Sequence, residues 1–248
     1  AYPLGYVEDL NDARTKLANF FSIFLRQTES MMRIDIYSDI VCPWCYVGKR
    51  RLERALSELK GVVKVEATWR PFQLNPTMPF DGMNRKAYLE AKFGSLEVFG
   101  KMEEQLLAAG VDEQIPFAFE KIQRTPNTVM AHRLIWYAEQ QGSQDAAAES
   151  LFRGYFTEGA DIGSMPVLSQ LAGRAGLDVV AVESFLHSEE GATEVKAEES
   201  VGRRLGIRGV PYFVINGSIA ISGAQPHNIF VSAIRQAEKT VVESKEEI

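Results

Sequence analysis

The two cysteines of this chain, Cys42 and Cys45, are its only ones, and two residues separate them. A largely apolar stretch at 34–41 precedes the pair, and a run with helical spacing follows it at 48–59. The pair therefore lies where a predicted strand is followed by a predicted helix. Pro43 suits the first helical position, because the N–H that proline lacks would have no partner there.

This placement predicts a dithiol–disulfide redox centre. Cys42 falls at the N-cap of the predicted helix, where its sulfur faces the free backbone N–H groups of Trp44 and Cys45 and the positive end of the helix dipole. Both effects favour the thiolate, so we expect the pKa of Cys42 to lie below that of a free thiol. Cys45 follows one turn later on the same face, within reach of a disulfide.

Two other interpretations of the cysteine pair stay open. The thiols can be reduced and inert, or they can contribute to a zinc site shared across a dimer. A zinc knuckle needs four ligands, and this chain has only two cysteines, to which its three histidines add few candidates. We therefore predict no metal within one chain.

The composition is that of an ordinary globular protein, with 46% apolar and 24% charged residues. The net charge is −6 and no basic block occurs, so nothing favours nucleic acid or an anionic membrane as a partner. No run approaches the roughly 20 apolar residues that span a bilayer. The apolar segment at 17–25 follows acidic rather than basic residues, unlike a secretory signal. We expect a cytoplasmic protein, in which a CxxC pair is catalytic.

The order of the predicted elements indicates one sheet interrupted by helices. Strand, helix and strand between residues 33 and 69 form a parallel βαβ unit. Strands at 211–215 and 219–221 flank Asn216-Gly217, a hairpin turn, and a last helix begins near residue 228. Neither two-stranded piece would be stable alone, so all four strands share a sheet. The predicted fold class is α/β, a βαβ–ββα sheet domain interrupted by an all-helical insertion.

Residues 1–31 form a separate N-terminal extension in this interpretation. Apolar residues recur there at helical spacing, which predicts an amphipathic helix. The helix either docks its apolar face on this chain or serves as an arm that forms a dimer, so monomer and homodimer stay open.

Five stretches together resemble the DsbA family of thiol–disulfide oxidoreductases, and within it the FrnE-like branch. They are DIVCPWC at 39–45, RPFQLNP at 70–76, NTVMAHRL at 127–134, YFTEG at 155–159 and GVPYFV at 209–214. The resemblance covers residues 32–240. It implies a thioredoxin-like domain at 32–76 and 206–241, a helical insertion domain at 77–205 and a tail at 242–248. The branch is also similar to 2-hydroxychromene-2-carboxylate isomerases and kappa-class glutathione transferases, which usually carry serine at the position of Cys42.

The resemblance implies a thiol–disulfide oxidoreductase or isomerase acting on protein or small-molecule disulfides. Cys42 attacks, Cys45 resolves the mixed disulfide, and Pro43 and Trp44 tune the redox potential. No bound cofactor is expected, and glutathione enters only as a co-substrate. The alternatives are a glutathione-dependent isomerase or transferase of small aromatic substrates and a redox-switched binding module.

Further site residues come from the same resemblance. Pro211 is expected as a cis-proline facing the cysteines, with Val210 pairing an extended substrate strand; alternatively, Pro211 merely begins an edge strand. Arg70 either binds a substrate carboxylate or pairs with a structural one. Phe72 either lines a substrate groove or packs in the core. His132 is either a proton shuttle or a packed helix histidine.

Overall fold

The computed structural model describes residues 31–246, with side chains up to residue 240. The N-terminal extension predicted at residues 1–31, including its helix, lies outside the described residues except for Met31. In chain order the elements are β1 (Met32–Ser38), α1 (Pro43–Glu58), β2 (Val65–Pro71), β3 (Met83–Asn84), α2 (Arg85–Phe93), α3 (Leu96–Asp112), β4 (Arg124–Thr125), α4 (Val129–Gln140), α5 (Gln144–Arg153), α6 (Met165–Arg174), α7 (Val179–His187), α8 (Ala192–Arg204), β5 (Tyr212–Ile215), β6 (Ile219–Ser222) and α9 (His227–Glu246).

A four-stranded sheet of order β2-β1-β5-β6 forms the centre of the fold. β1 pairs in parallel with β2 and antiparallel with β5, and β5 pairs antiparallel with β6. The two central strands contribute buried side chains to the core, namely Ile34, Ile36, Phe213 and Ile215. Strands from both ends of the described chain thus share one sheet, and the predicted α/β fold class is confirmed.

Helices α2 to α8 lie between β2 and β5 in the chain and form the helical block. Three of them, α4, α5 and α8, contact β2, while α1 packs against α9. Tyr46 on α1 stacks on Phe152 of α5, with ring centroids 5.2 Å apart. The helix that follows the cysteines is therefore held by both the sheet and the block. None of the described helices has the length and apolar character needed to cross a membrane.

Side-chain caps mark the starts of two helices in the block. Asn84 and Ser95 cap α2 and α3 by accepting hydrogen bonds from the N–H groups of Ala87 and Val98. The expected all-helical character of the block is wrong in one detail, because β3 and β4 form a short antiparallel pair within it. Gly82, directly before β3, lies close to the backbone of β4. An added Cβ there would lie 2.6 Å from the carbonyl oxygen of Thr125.

Two strand boundaries and one helix end differ from the sequence-based predictions. β1 ends at Ser38 rather than at residue 41, because 39–41 turn into α1. β2 extends through Pro71, two residues beyond the predicted end of this strand at residue 69. β2 is an edge strand, where the missing N–H of a proline is tolerated. The last helix runs on to Glu246, into the stretch 242–248 that was predicted as a tail.

Candidate active site

Cys42 and Cys45 lie at the start of α1, at the end of the sheet formed by the C-terminus of β1. Cys42 is the N-cap residue with an extended backbone, and Pro43 occupies the first helical position. The Cys45 N–H donates to the Cys42 carbonyl over 3.0 Å. Both thiols are free, with Cys42 6% and Cys45 1% exposed. Cys42 is thus the outer sulfur of the pair, although only a small part of it reaches the surface.

The Cys42 thiol donates a hydrogen bond to the carbonyl oxygen of Val210 over 3.5 Å. Its side chain makes no cap hydrogen bond, so the expectation that Cys42 Sγ faces the N–H groups of Trp44 and Cys45 is wrong for this form. A neutral thiol is a donor, and a carbonyl suits it better than another N–H. A thiolate has no proton to donate, so deprotonation removes this contact. Stabilisation of the thiolate by the helix start stays a prediction.

The loop before β5 lies directly against the cysteine pair. The Val210–Pro211 peptide bond is cis, and Pro211 is buried while Val210 is half-buried. Gly48 on α1 makes the close approach possible, because an added Cβ would lie 3.1 Å from both Pro211 Cγ and Phe213 Cζ. Cys42 and the Val210–Pro211 segment, far apart in the sequence, therefore meet at one end of the sheet.

Cys45 is enclosed beneath Cys42. Burial raises the pKa of the Cys45 thiol well above its ordinary value, and the neighbouring Cys42 raises it further. The Ser38 hydroxyl and the backbone of Asp39 oppose this shift with a smaller effect. Trp44, between the cysteines, is 36% exposed, so a good part of its ring faces solvent rather than covering Cys45. Cys45 consequently needs help to lose its proton.

Asp39 and His132 form a buried pair that the sequence analysis recognised only in part. Asp39 is 1% and His132 3% exposed, and Asp39 Oδ1 lies 3.4 Å from His132 Nε2. The other carboxylate oxygen accepts the Leu74 N–H over 2.7 Å, and the Asp39 carbonyl accepts the Cys42 N–H over 3.0 Å. A carboxylate in an apolar stretch three residues before the first cysteine was the available signal for Asp39.

Arg70 pairs with carboxylates of the protein itself, which is the second of the two roles considered for it from the sequence. Its guanidinium lies 2.9 Å from Asp35, 3.3 Å from Glu198 and 3.8 Å from Glu139, which belong to β1, α8 and α4. With three carboxylates around it and 19% of its side chain exposed, Arg70 joins the sheet to the helical block. The structure does not bring it to the cysteine pair as an unpaired cation.

Phe72 likewise packs rather than lining an open groove. It is 2% exposed, in a small cluster with Tyr37 and Ile207. The guanidinium of Arg203 lies 4.6 Å from the centroid of its ring.

Across the described part of the chain, no group of three or more His, Cys, Asp or Glu side chains is arranged to hold a metal ion.

Comparison with known proteins agrees with this geometry. The family model of the DSBA-like thioredoxin domain matches residues 33–235. The uncharacterized protein YwbO of Bacillus subtilis (strain 168) is 29% identical over 211 residues, covering 84% of this chain and 98% of YwbO. The probable DsbA oxidoreductase SCO1869 from Streptomyces coelicolor has a crystal structure with a TM-score of 0.77 and 36% identity, covering 83% of this chain and 89% of that one.

A more distant structure shares the fold. A 2-hydroxychromene-2-carboxylate isomerase has a TM-score of 0.65 at 16% identity, covering 85% of this chain and 98% of that one. The resemblance to the DsbA family predicted from the sequence is confirmed.

Proposed function

Because this chain belongs to the family of DsbA-like thioredoxin domains, we propose that it exchanges thiols and disulfides through the pair Cys42–Cys45. Its substrates are protein or small-molecule disulfides. The observation that carries the proposal is the 3.5 Å contact of Cys42 Sγ with the Val210 carbonyl, beside cis-Pro211 and one turn above Cys45. Two thiols without a redox role would not require a backbone carbonyl and a proline loop beside the outer sulfur.

The reaction follows from the positions of the two sulfurs. The Cys42 thiolate attacks a substrate disulfide, forming a Cys42–substrate bond and releasing the first substrate thiolate. Cys45 then attacks Cys42 Sγ, which forms the Cys42–Cys45 disulfide and releases the second substrate thiolate. Two electrons pass from the protein to the substrate, and the reverse sequence oxidises a dithiol. Attack through Cys42 alone, with release and re-attack, isomerises disulfides.

Val210 and Pro211 offer a backbone surface for the substrate. In the thiol form, the Val210 carbonyl accepts the Cys42 proton. Once Cys42 is a thiolate or is bonded to substrate, that carbonyl is free to accept an N–H from an extended substrate segment. Pro43 and Trp44, the latter exposed, lie at the same surface and contribute to the redox potential. Substrate binding and thiol ionisation are then linked through one carbonyl oxygen.

The proposed setting is the cytoplasm, with glutathione or another small thiol as a co-substrate and no bound cofactor. The support is the cysteine usage, since apart from the CxxC pair the chain has no cysteine from which to build the structural disulfides of an oxidising compartment. Monomeric and dimeric forms are both compatible with the proposal.

Replacing each cysteine separately tests the function. We expect Cys42→Ser to reduce insulin-disulfide reduction and refolding of scrambled ribonuclease to background, because the attacking sulfur is gone. Cys45→Ser should accumulate a mixed disulfide with the substrate, visible by mass spectrometry, because nothing resolves it. Undiminished turnover in Cys42→Ser would contradict the proposal. Glutathione-dependent isomerisation that survives Cys45→Ser would favour the isomerase alternative, and redox-dependent partner capture without turnover would favour a binding module.

A further inference from the structure

Three buried polar atoms near Cys45 make no hydrogen bond of ordinary geometry within the described chain, although the Ser38 hydroxyl is close enough to Cys45 to oppose the rise of its pKa. The atoms are Ser38 Oγ, Asp39 Oδ1 and His132 Nε2, all from side chains no more than 3% exposed. Ser38 and Asp39 are consecutive, and Asp39 Oδ1 faces His132 Nε2 at 3.4 Å. Buried polar atoms in proteins nearly always have a partner, from the protein or from ordered water. Three neighbouring exceptions indicate a partner that they share.

A small cavity adjoins two of these three residues, Ser38 and His132. Its volume is about 10 Å³, and both Ser38 and His132 line it, together with apolar side chains such as Ile40 and Ile135. A cavity of roughly 10–15 Å³ holds one water molecule when two or more polar groups face it. This cavity therefore has room for about one water, which would bridge the Ser38 hydroxyl and the His132 ring.

We propose that Ser38, this water and His132 form a path that removes the proton of Cys45 when Cys45 resolves a mixed disulfide. The inference rests on the proposed function, since it assigns the route of one proton in that reaction. Asp39 is the positioning residue, because its carboxylate lies beside His132 Nε2 and stabilises the imidazolium that forms. The need for such a path is independent of its geometry: Cys45 is almost fully buried and has no direct access to bulk water.

Carboxylates near His132 can stabilise the positive charge that its ring would gain with a proton. The titratable groups that face the pair or the cavity are Asp39, Cys45, Tyr155 with Arg85, and Arg70 with Glu198, Glu139 and Asp35. Asp39 is the carboxylate in direct contact with the ring. The Arg70 guanidinium, on the cavity wall, is surrounded by three carboxylates, which offset its repulsion of an imidazolium.

The step balances in atoms and electrons. In the mixed disulfide, Cys45 Sγ gives its proton to Ser38 Oγ, Ser38 gives its own to the water, and the water protonates His132 Nε2. The Cys45 thiolate attacks Cys42 Sγ; the Cys42–Cys45 bond forms, and the Cys42–substrate bond breaks. The substrate leaves as a thiolate with two electrons, and His132 later returns its proton to solvent. No further oxidant or reductant takes part.

Stopped-flow reaction with 5,5′-dithiobis(2-nitrobenzoate) separates the two steps. Attack by Cys42 releases one coloured thiolate and resolution by Cys45 releases the second, and neither leaving group needs a proton. We expect His132→Gln to slow the second phase about tenfold or more near pH 7, within the range of general base catalysis, and to leave the first phase within twofold. The rate of the second phase in this variant should then depend on hydroxide from solvent, so that its pH profile differs from that of the wild-type protein.

Two further variants keep the test decisive. Ser38→Ala, which removes one buried oxygen, should slow the second phase by a similar factor, and it serves if His132→Gln does not fold. His187→Gln changes an exposed helix histidine and should leave both phases unaltered. An unchanged second phase with an unchanged pH profile in folded Ser38→Ala or His132→Gln overturns the path. Loss of both phases in Cys42→Ser, with loss of only the second in Cys45→Ser, holds whether or not the path exists, so failure of the proposed function is seen separately.

Discussion

At the scale of single residues, the two cysteines have opposite surroundings. Cys42 meets a carbonyl that only a thiol can use as an acceptor, beside a half-buried loop. Burial and the neighbouring Cys42 disfavour the thiolate of Cys45, and the Ser38 hydroxyl favours it with a smaller effect. The outer sulfur can therefore change its partners on ionisation, whereas the inner sulfur depends on neighbouring groups to ionise at all.

The raised pKa of Cys45 predicts how stability depends on pH. A group whose pKa is raised by folding contributes stability that is fully present below its unfolded pKa, about 8.5 for a thiol, and is lost as the pH rises through the folded value. We expect the reduced protein to lose stability above about pH 8.5 faster than the oxidised protein, in which Cys45 cannot titrate. Tyr155, whose pKa burial raises to about 12, is present in both forms and cancels.

Urea unfolding of both redox forms between pH 7 and 10 measures this difference. Reduced Cys45→Ala serves as the control, because it lacks the inner thiol and should not show the Cys45 part of the decline. Parallel pH curves for the reduced and oxidised wild-type proteins would contradict the prediction.

At the scale of elements, α1 is placed by contacts on three sides. The sheet and the cis-proline loop meet it at Gly48, α9 packs along it, and the helical block meets it at Tyr46 and Lys49. Lys49 is 2% exposed and pairs with Asp145 of α5 over 3.1 Å. Burial of the amine opposes the charged form, but the surrounding carboxylates outweigh it and raise the pKa of Lys49. The start of α1, which carries the cysteines, is therefore rigidly held.

Gly48 tests how closely α1 must approach the Pro211 loop. Glycine inside a helix is normally less stable than alanine by about 0.5–1 kcal/mol. Gly100→Ala in α3, where nothing lies within 4 Å of the added Cβ, should show this gain. Gly48→Ala should not, because Pro211 and Phe213, at 3.1 Å, must move, and we expect slower disulfide exchange as well. Chemical unfolding and insulin reduction measure both effects, and equal gains with unchanged exchange would refute the close-approach argument.

At the scale of the whole molecule, the helical block completes the edge of the sheet. β2 is an edge strand, and its Trp69 N–H and carbonyl pair with the side chain of Gln144 at the start of α5, over 2.9 and 3.0 Å. Trp69 Nε1 also donates to Asp145. Unpaired backbone groups at a sheet edge favour association with other strands, so this cover protects the edge. One continuous hydrophobic core extends from the sheet into the block.

Gln144→Ala should therefore destabilise the protein by about 2 kcal/mol or more, because it leaves two buried backbone groups of Trp69 without partners. Gln105→Ala, at an exposed position of α3, is the matched control and should change the free energy of unfolding by less than about 0.5 kcal/mol. Denaturant titration followed by tryptophan fluorescence measures both. Similar values for the two variants would show that the Gln144 contacts contribute little.

The sequence predicted those features whose cause is local. Pro43 could be recognised as a first helical residue and Asn216-Gly217 as a hairpin turn, because each acts on backbone groups a few positions away. The division of the chain into a sheet domain and an insertion domain stays a prediction about its parts. The direction of the Cys42 thiol was predicted wrongly, because its partner, Val210, belongs to a distant segment.

By itself, the sequence determined a CxxC pair between a strand and a helix and a βαβ–ββα order that allows one sheet, because period, capping and turn chemistry depend on near neighbours. Only the tertiary structure decided that Asp39 faces His132, that Arg70 is enclosed by three carboxylates, and that Val210 accepts from Cys42. Those contacts join segments remote in the chain, and their distances are set by how sheet and helical block pack together.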